Sequence, residues 1–321
     1  MNTSSLHVRV DRKAREAHDI CTFKLVAADG QVLPRFDAGS HIDVHLPNGL
    51  TRQYSLCNDP AQAEHYLIGV LRERASRGGS AALHDCVQEG DLLEISPPRN
   101  HFPLAKHAQR SLLLAGGIGV TPVLCMAEHL AATRQEFALH YCTRSSERTA
   151  FRARIERAPF ADRVWFHFDD GAPQQRLDLE VLLANPQPGT HLYVCGPTGF
   201  MDWVLAQAQA SGWPGVQVHH EYFSAPAMPQ DSDAPFELQL SRSGRVIAVP
   251  SGMTALKALA DAGVELAASC EQGVCGTCVT GVLEGVPDHR DQVLSASERA
   301  ANDRFLPCCS RAKSQRLVLD L

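Results

Sequence analysis

Alternation of apolar and polar positions marks the first hundred residues. In HIDVHLPNGLTRQYSL, Ile42, Val44 and Leu46 alternate with Asp43 and His45, and Asn48-Gly49 predicts a hairpin turn. HYLIGVLRE and DLLEISPPR read as further strands, and short strands with regular turns predict a small antiparallel barrel. The period then changes. Leu112 to Ala115 is an uninterrupted apolar run, as expected of a parallel strand buried on both faces. FALHYCTRSS, RVWFHFDDG and HLYVCGPTGFMDWV repeat that pattern with helical stretches between them, which predicts a doubly wound parallel sheet. Glu221 to Pro235, rich in Pro, Ser and Asp, reads as a linker. Beyond it, FELQLSRSGRVIAVP gives two strands about a turn at Ser243-Gly244. SGMTALKALADAG gives a helix, with Thr254 as cap, Ala255, Leu256 and Leu259 on the apolar face and Gly263 as stop. The expected divisions are 1–105 for the barrel, 106–224 for the parallel sheet, 225–235 for the linker and 236–321 for a small β-rich domain.

Composition narrows the class. The 321 residues are enough for two or three domains, and 44% hydrophobic with 21% charged content is ordinary for a globular chain. A net charge of −6 argues against nucleic acid or an anionic membrane as partner. The polar start MNTSSLHVRVDRK leads into no apolar h-region. The apolar uncharged run Ser111 to Ala127 holds three glycines and a proline and falls short of the ~20 residues of a membrane helix. A cytoplasmic protein is expected.

Eleven cysteines change the picture more. Cys21, Cys57, Cys86, Cys125, Cys142 and Cys195 are scattered singly and read mostly as small buried hydrophobes. The other five cluster as Cys270-x4-Cys275-x2-Cys278, with Cys308 and Cys309 thirty residues later. A reducing compartment disfavours disulfides and leaves metal or redox chemistry. The C-x4-C-x2-C…C spacing is that of a plant-type [2Fe–2S] centre. Gly273 and Gly276 let so short a loop wrap around two irons. A zinc site built from two short hooks and a CGTC thiol pair are the competing readings. Cys308 and Cys309, taken as extended, would point to opposite sides, so one of them is the fourth ligand.

Gly116-Gly117-x-Gly119, between an apolar strand and a helix opened by Thr121 as cap and Pro122 at its first position, suits an anion site for a dinucleotide pyrophosphate. It equally suits a tight structural turn. The strand ends Thr143-Arg144-Ser145, Asp169-Asp170-Gly171 and Cys195-Gly196-Pro197 fall where ligands bind in such sheets. Arg144 suits a 2′-phosphate and the aspartates repel one, and the balance is read toward NADH. In the barrel, Arg52 can pair with a phosphate, Tyr54 can stack on a flat heterocycle, and Gly78-Gly79-Ser80 offers amides to an anion. An exposed strand and loop would carry the same letters. His219-His220-Glu221 superficially suggests a two-His-one-carboxylate iron site, but three consecutive residues do not converge easily on one metal.

Taken together and in order, RQYSLCN, SRGGS, LLLAGGIGVTP, YVCGP, HHEYF, SCEQGVCGTC, DHRDQVL and CCSRAKS…LVLDL resemble the phthalate dioxygenase reductase family, which includes the vanillate demethylase reductases. The resemblance implies an FMN-binding barrel of ferredoxin-reductase type, an NAD-binding domain and a β-grasp [2Fe–2S] ferredoxin domain. It places Arg52, Gln53, Tyr54 and Ser55 at the flavin, with Gly78, Gly79 and Ser80 at its phosphate. Gly117, Gly119, Thr121, Pro122, Thr143, Arg144, Asp169, Cys195, Gly196 and Pro197 fall on the NADH side, and Phe223 by the flavin. The cluster ligands become Cys270, Cys275, Cys278 and Cys308. The implied activity is reduction of a Rieske-type non-haem iron oxygenase by NADH, with no essential acid–base side chain. A free-standing flavin or ferric reductase and a zinc-binding NADH sensor are the alternatives.

Overall fold

The computed structural model describes residues 5–62, 64–73, 78–223 and 230–321, which form two compact units, 1–221 and 222–321. Ser76 of the second barrel motif and residues 225–229 of the expected linker lie outside the described residues.

The first unit opens with an antiparallel sheet. Its strands are β1 (Leu6–Ala17), β2 (Ile20–Ala27), β3 (Ser40–His45), β4 (Thr51–Ser55), β5 (Tyr66–Leu71), β6 (Leu92–Ile95) and the short β7 (Arg99–Asn100). They run in the order β4-β3-β6-β1-β2-β5, with β7 on β3. A bridge from Leu56 to Ile68 joins the β4 end to β5 and closes the barrel. The alternation read in the sequence is the inside of this barrel: Ile42, Val44, Val8, Val10, Phe23, Leu25 and Ile68 are all fully buried. Asn48-Gly49 makes the β3–β4 turn, with Gly49 at φ 79°. Helix α1 (Gly79–Cys86) follows β5, and Lys13 Nζ donates to the carbonyls of His84 (2.6 Å) and Val87 (2.7 Å) at its C-terminal end.

A parallel sheet follows in the same unit. Its strands are β8 (Arg110–Gly116), β9 (Glu136–Thr143), β10 (Val164–Phe168), β11 (Thr190–Cys195) and β12 (Val218–Glu221), in the order β10-β9-β8-β11-β12. Helices α2 (Val120–Ala132), α3 (Arg152–Glu156), α4 (Leu179–Leu183) and α5 (Thr198–Ala210) connect them. α2 is apolar almost all round because it is covered on more than one side. Barrel strand β5 approaches it so closely that a Cβ on Gly69 would lie 3.0 Å from Thr121 Cγ2. Sequence reading marked four of these strands and missed β12, which is short and reads as the polar string VHHE.

The second unit pairs β13 (Phe236–Leu240), β14 (Val246–Val249), β15 (Thr280–Glu284), β17 (Arg304–Phe305) and β19 (Arg316–Leu319) in the order β14-β13-β19-β15-β17; β16 (Pro287–Asp288) pairs β18 (Arg311–Ala312) apart from them. β13 and β19 are parallel and the other pairs antiparallel. Helix α6 (Ala255–Asp261) packs on this sheet through Ala255 and Leu259 against Leu238, Val249, Leu317 and Leu319. It begins and ends as predicted: Thr254 Oγ1 accepts from Lys257 N at 3.1 Å, and Gly263 follows at φ 77°. Helix α7 (Ala296–Ala301) is closed by a Ser295/Glu298 capping box. The whole is a multi-domain α/β and β protein: antiparallel barrel, doubly wound parallel sheet and β-grasp unit. No helix among the described residues is long and apolar enough to cross a membrane.

Candidate functional site

Two glycine turns meet at the C-terminal edge of the parallel sheet. β8 and β11 are neighbours in register, so the turns that end them lie side by side. A Cβ on Gly119 would come within 2.2 Å of the Cys195 carbonyl oxygen and 2.6 Å of Gly196 N, so only glycine fits there. Gly117 takes φ 53°. α2 starts at Val120 with Gly119 as its N-cap, not at Pro122 with Thr121 as cap. The Thr121 hydroxyl instead donates to the Ile118 carbonyl at 3.0 Å, and Pro122 sits in the first turn, where its missing N–H removes no helical bond. The notch keeps the layout of an anion site, a glycine turn leading into a thirteen-residue helix, with the Val120 amide bonded to the Gly117 and Ile118 carbonyls. Phe200, one turn into α5 beyond Pro197, lies over this notch, since Cβ atoms on Gly116 or Gly196 would each fall 2.7 Å from its ring. Sequence reading passed over Phe200 as a helix residue.

The other strand ends also converge. Asp169 N donates to the Thr143 carbonyl (3.0 Å) and Asp170 N to the Arg144 carbonyl (3.2 Å), which joins the ends of β9 and β10. Arg144 and Asp169 are exposed there. Thr143 is turned inward: its hydroxyl bonds Thr149 Oγ1 at 2.8 Å.

In the barrel, β4 lays Arg52 across the start of α1. A Cβ on Gly79 would lie 2.7 Å from Arg52 Cγ, and Gly78 caps the helix at φ 97°. Ser80 stands in the first turn, its hydroxyl accepting from Glu73 N at 3.1 Å. A guanidinium against a glycine helix start fits a phosphate. Tyr54 is half-buried, and burial raises its phenol above the ordinary range and keeps it neutral. Gln53 donates to Asp43 Oδ1 at 3.0 Å beside His41, within the barrel's own strand.

Ser55 points elsewhere. Its hydroxyl donates to Glu221 Oε2 at 3.4 Å, and Glu221 stands opposite Cys195 in the β11–β12 register. Burial pushes the Glu221 carboxyl up to about 8, only partly offset by the Ser55 bond, so it carries a proton at neutral pH. Burial and the Glu221 carboxyl beside it likewise raise the Cys195 thiol. The fold thus gathers a hydroxyl, a thiol and a protonated acid, one from each of three distant stretches. Glu221 is the member that sequence reading missed; the only signal was its place in HHEYF. His219, in the same string, is structural: its Nε2 lies 2.8 Å from His191 Nδ1 and its ring stacks on Tyr193. Phe223 falls at the start of the second unit.

All eleven cysteines are free thiols. The clustered ones come in pairs. Cys270 lies beside Cys275, and Cys278 beside Cys308. Gln272 N donates to Cys270 Sγ at 3.2 Å and Thr277 N to Cys275 Sγ at 3.5 Å. Neighbouring Cys270 and Thr277 lower the Cys275 thiol from its ordinary value. Gly273 and Gly276 take φ 71° and 74°, which is how nine residues supply three sulfurs. Among the described residues no group of three His, Cys, Asp or Glu side chains is placed to hold a single metal ion. Pro307-Cys308-Cys309 is a turn, not an extended segment, so the expected opposition of Cys308 and Cys309 does not hold: their thiols are neighbours. Cys309 Sγ lies 3.8 Å from the Leu306 carbonyl.

An antiparallel barrel with a cationic helix start, a parallel sheet with a glycine notch and a β-grasp unit with paired thiols make an electron-transferring oxidoreductase. Residues 238–313 match the 2Fe-2S iron-sulfur cluster binding domain, and residues 93–218 match the N-terminal domain of dimethylamine monooxygenase subunit DmmA-like proteins. Vanillate O-demethylase oxidoreductase of Pseudomonas putida is 55% identical over 307 residues, 95% of this chain and 96% of that protein. Phthalate dioxygenase reductase of Burkholderia cepacia is 41% identical over 98% of this chain and 97% of its own. A solved phthalate dioxygenase reductase, described as a modular structure for electron transfer from pyridine nucleotides to [2Fe-2S], is 41% identical, with a TM-score of 0.81 over 99% of this chain and 98% of that one. The chain belongs to the phthalate dioxygenase reductase family.

Proposed function

We propose that this reductase draws electrons from NADH and delivers them, through FMN and a [2Fe–2S] cluster, to a Rieske-type oxygenase or demethylase acting on an aromatic compound. When bound, the flavin takes hydride from the nicotinamide and releases electrons singly to the cluster, which matches a two-electron donor to a one-electron acceptor. The chain's own residues bind and orient. Arg52, with Gly78, Gly79 and Ser80, holds the flavin phosphate, and Tyr54 packs beside the ring. The glycine turn Gly117 to Gly119 and the start of α2 hold the dinucleotide pyrophosphate, with Arg144 and Asp169 toward its adenosine end. Cys195, Gly196 and Pro197 border the reactive end, beside the Ser55 hydroxyl and the Glu221 carboxyl that accepts from it. Cys270, Cys275, Cys278 and Cys308 hold the cluster. A chain of eleven cysteines with none in a disulfide suits a reducing compartment, and the cytoplasm is the inferred location.

The four buried cysteines Cys270, Cys275, Cys278 and Cys308, within a stretch that matches the 2Fe-2S cluster binding domain, carry this reading. The test is a spectrum of the purified protein before and after NADH. Flavin and iron–sulfur bands that bleach together, with iron and acid-labile sulfide in equal amounts, are expected. Zinc without sulfide, or no oxidation of NADH, ends it. Co-purification with a Rieske oxygenase tests the partner.

A further inference from the structure

Phe200 lies where the turns after β8 and β11 meet, and neither glycine there is demanded by its own backbone. Gly116 takes φ −111° and ψ 117°, ordinary extended angles, and Gly196 likewise stays outside the left-handed region. The Phe200 ring is what excludes a side chain at both. A Cβ on either glycine would lie 2.7 Å from its Cδ1; the next neighbours are Pro197 Cδ at 3.1 Å from the first and Gly116 Cα at 3.0 Å from the second. Helix α5 does not need this ring to hold the sheet, because Met201, Val204 and Ala208 are the positions it buries. Phe200 is half-buried. Trp203, one turn on, is 46% exposed and meets it edge to face, with ring centroids 6.3 Å apart at 63°. Two neighbouring aromatic rings, both reached by solvent, thus stand over a seam of bare backbone. One turn of that seam leads into the start of α2. The other follows Cys195, which stands opposite Glu221, the acceptor of the Ser55 hydroxyl. Arg144 and Asp169 follow β9 and β10, on the other side of β8.

We propose that Phe200 is a binding residue for the nicotinamide half of the dinucleotide, with Trp203 as the positioning residue that steadies its ring; this rests on the NADH reading above. Glycine at two positions where other residues would fit the backbone costs conformational freedom at each. A ring that only filled the core would be covered, and this one is not. The nicotinamide ring is flat, and in its oxidised form cationic, and both properties suit an aromatic face. The adenosine end falls to β9 and β10 and does not use this pair. Phe200 therefore separates a ligand that carries the nicotinamide ring from one cut off before it.

The test is calorimetric binding of two ligands to the full-length oxidised protein: NAD+, which that form cannot turn over, and ADP-ribose, which ends before the nicotinamide. Phe200→Leu keeps apolar bulk and removes the ring. It should bind NAD+ roughly threefold to tenfold more weakly than wild type and ADP-ribose equally well. Phe200→Tyr, which keeps the ring, should match wild type. Trp203→Leu, on the exposed side of the pair, should show the same selective loss at about twofold. Equal weakening of both ligands in Phe200→Leu means that the ring only holds the shape of the whole notch, and no weakening of either means that it packs on protein alone; each result overturns the proposal. Should Phe200→Leu fail to fold, Trp203→Leu decides: a loss confined to NAD+ supports the assignment, and an unchanged ratio of the two affinities overturns it. Wild-type protein that binds neither ligand sinks the NADH reading instead.

Discussion

The half-buried Glu221 carboxyl, with its pKa raised to about 8, makes stability depend on pH in a definite direction. Unfolded, Glu221 ionises near 4.5; folded, it keeps its proton to about 8. Between those values the native state holds one more proton than the unfolded state, so stability falls as pH rises through that window and levels off above it. Denaturant titrations at pH 5, 6.5 and 8 should show this fall in wild type, on the order of a few kcal/mol. Glu221→Gln keeps the neutral shape and should remove that fall; an identical fall in the variant would mean another group carries it. The cysteine pairs give a second single-residue outcome. Cys278 and Cys308 pack together, while Cys309 beside them has the Leu306 carbonyl 3.8 Å away. Cys308→Ser should therefore purify without a full complement of iron and sulfide. Cys309→Ser should keep both and lose about 1 kcal/mol from a buried polar swap.

Elements, rather than residues, set the nucleotide notch. Gly119 lets the start of α2 sit against the end of β11, and a methyl there would lie 2.2 Å from a backbone oxygen that cannot swing away. Gly119→Ala should destabilise by roughly 1–3 kcal/mol and raise KM for NADH more than it lowers the rate with a saturating dose, measured by steady-state NADH oxidation. How much of this was legible depends on range. The β3–β4 hairpin, the β8 strand and the Thr254 cap were readable because alternation, apolar runs and caps are local signals carried by adjacent residues. The three cysteines of the loop were readable for the same reason. Thr121 was misread as a cap because a threonine before a proline carries the same letters whether the helix begins there or two residues earlier. Glu221 was not readable: its partner Ser55 stands 166 residues away, and nothing in HHEYF says which neighbour will desolvate it. The Asp233 contact with Arg290, across 57 residues, was hidden in a string that looked like linker.

Across the whole molecule, charge is spread thinly. The chain carries −6 in all, and residues 236–321 hold ten acidic and nine basic side chains, a near balance on the part that bears the cluster. Several of those charges are already spent internally: Arg290 and Arg311 on Asp233, Arg299 on Asp291, Arg316 on Glu237. What remains is too even to build a long-range field, so encounter with the oxygenase should depend on fit more than on steering. Reduction of the oxygenase by this protein should then change by less than about threefold between 0.05 and 0.3 M salt, a range over which the Debye length shrinks from roughly 14 to 6 Å. A fall of ten times or more would place a charged surface, and not apolar complementarity, at the centre of recognition. The measurement is the rate of oxygenase reduction in stopped flow at each salt concentration, with the NADH step followed in parallel so that an effect on dinucleotide binding is separated from one on docking.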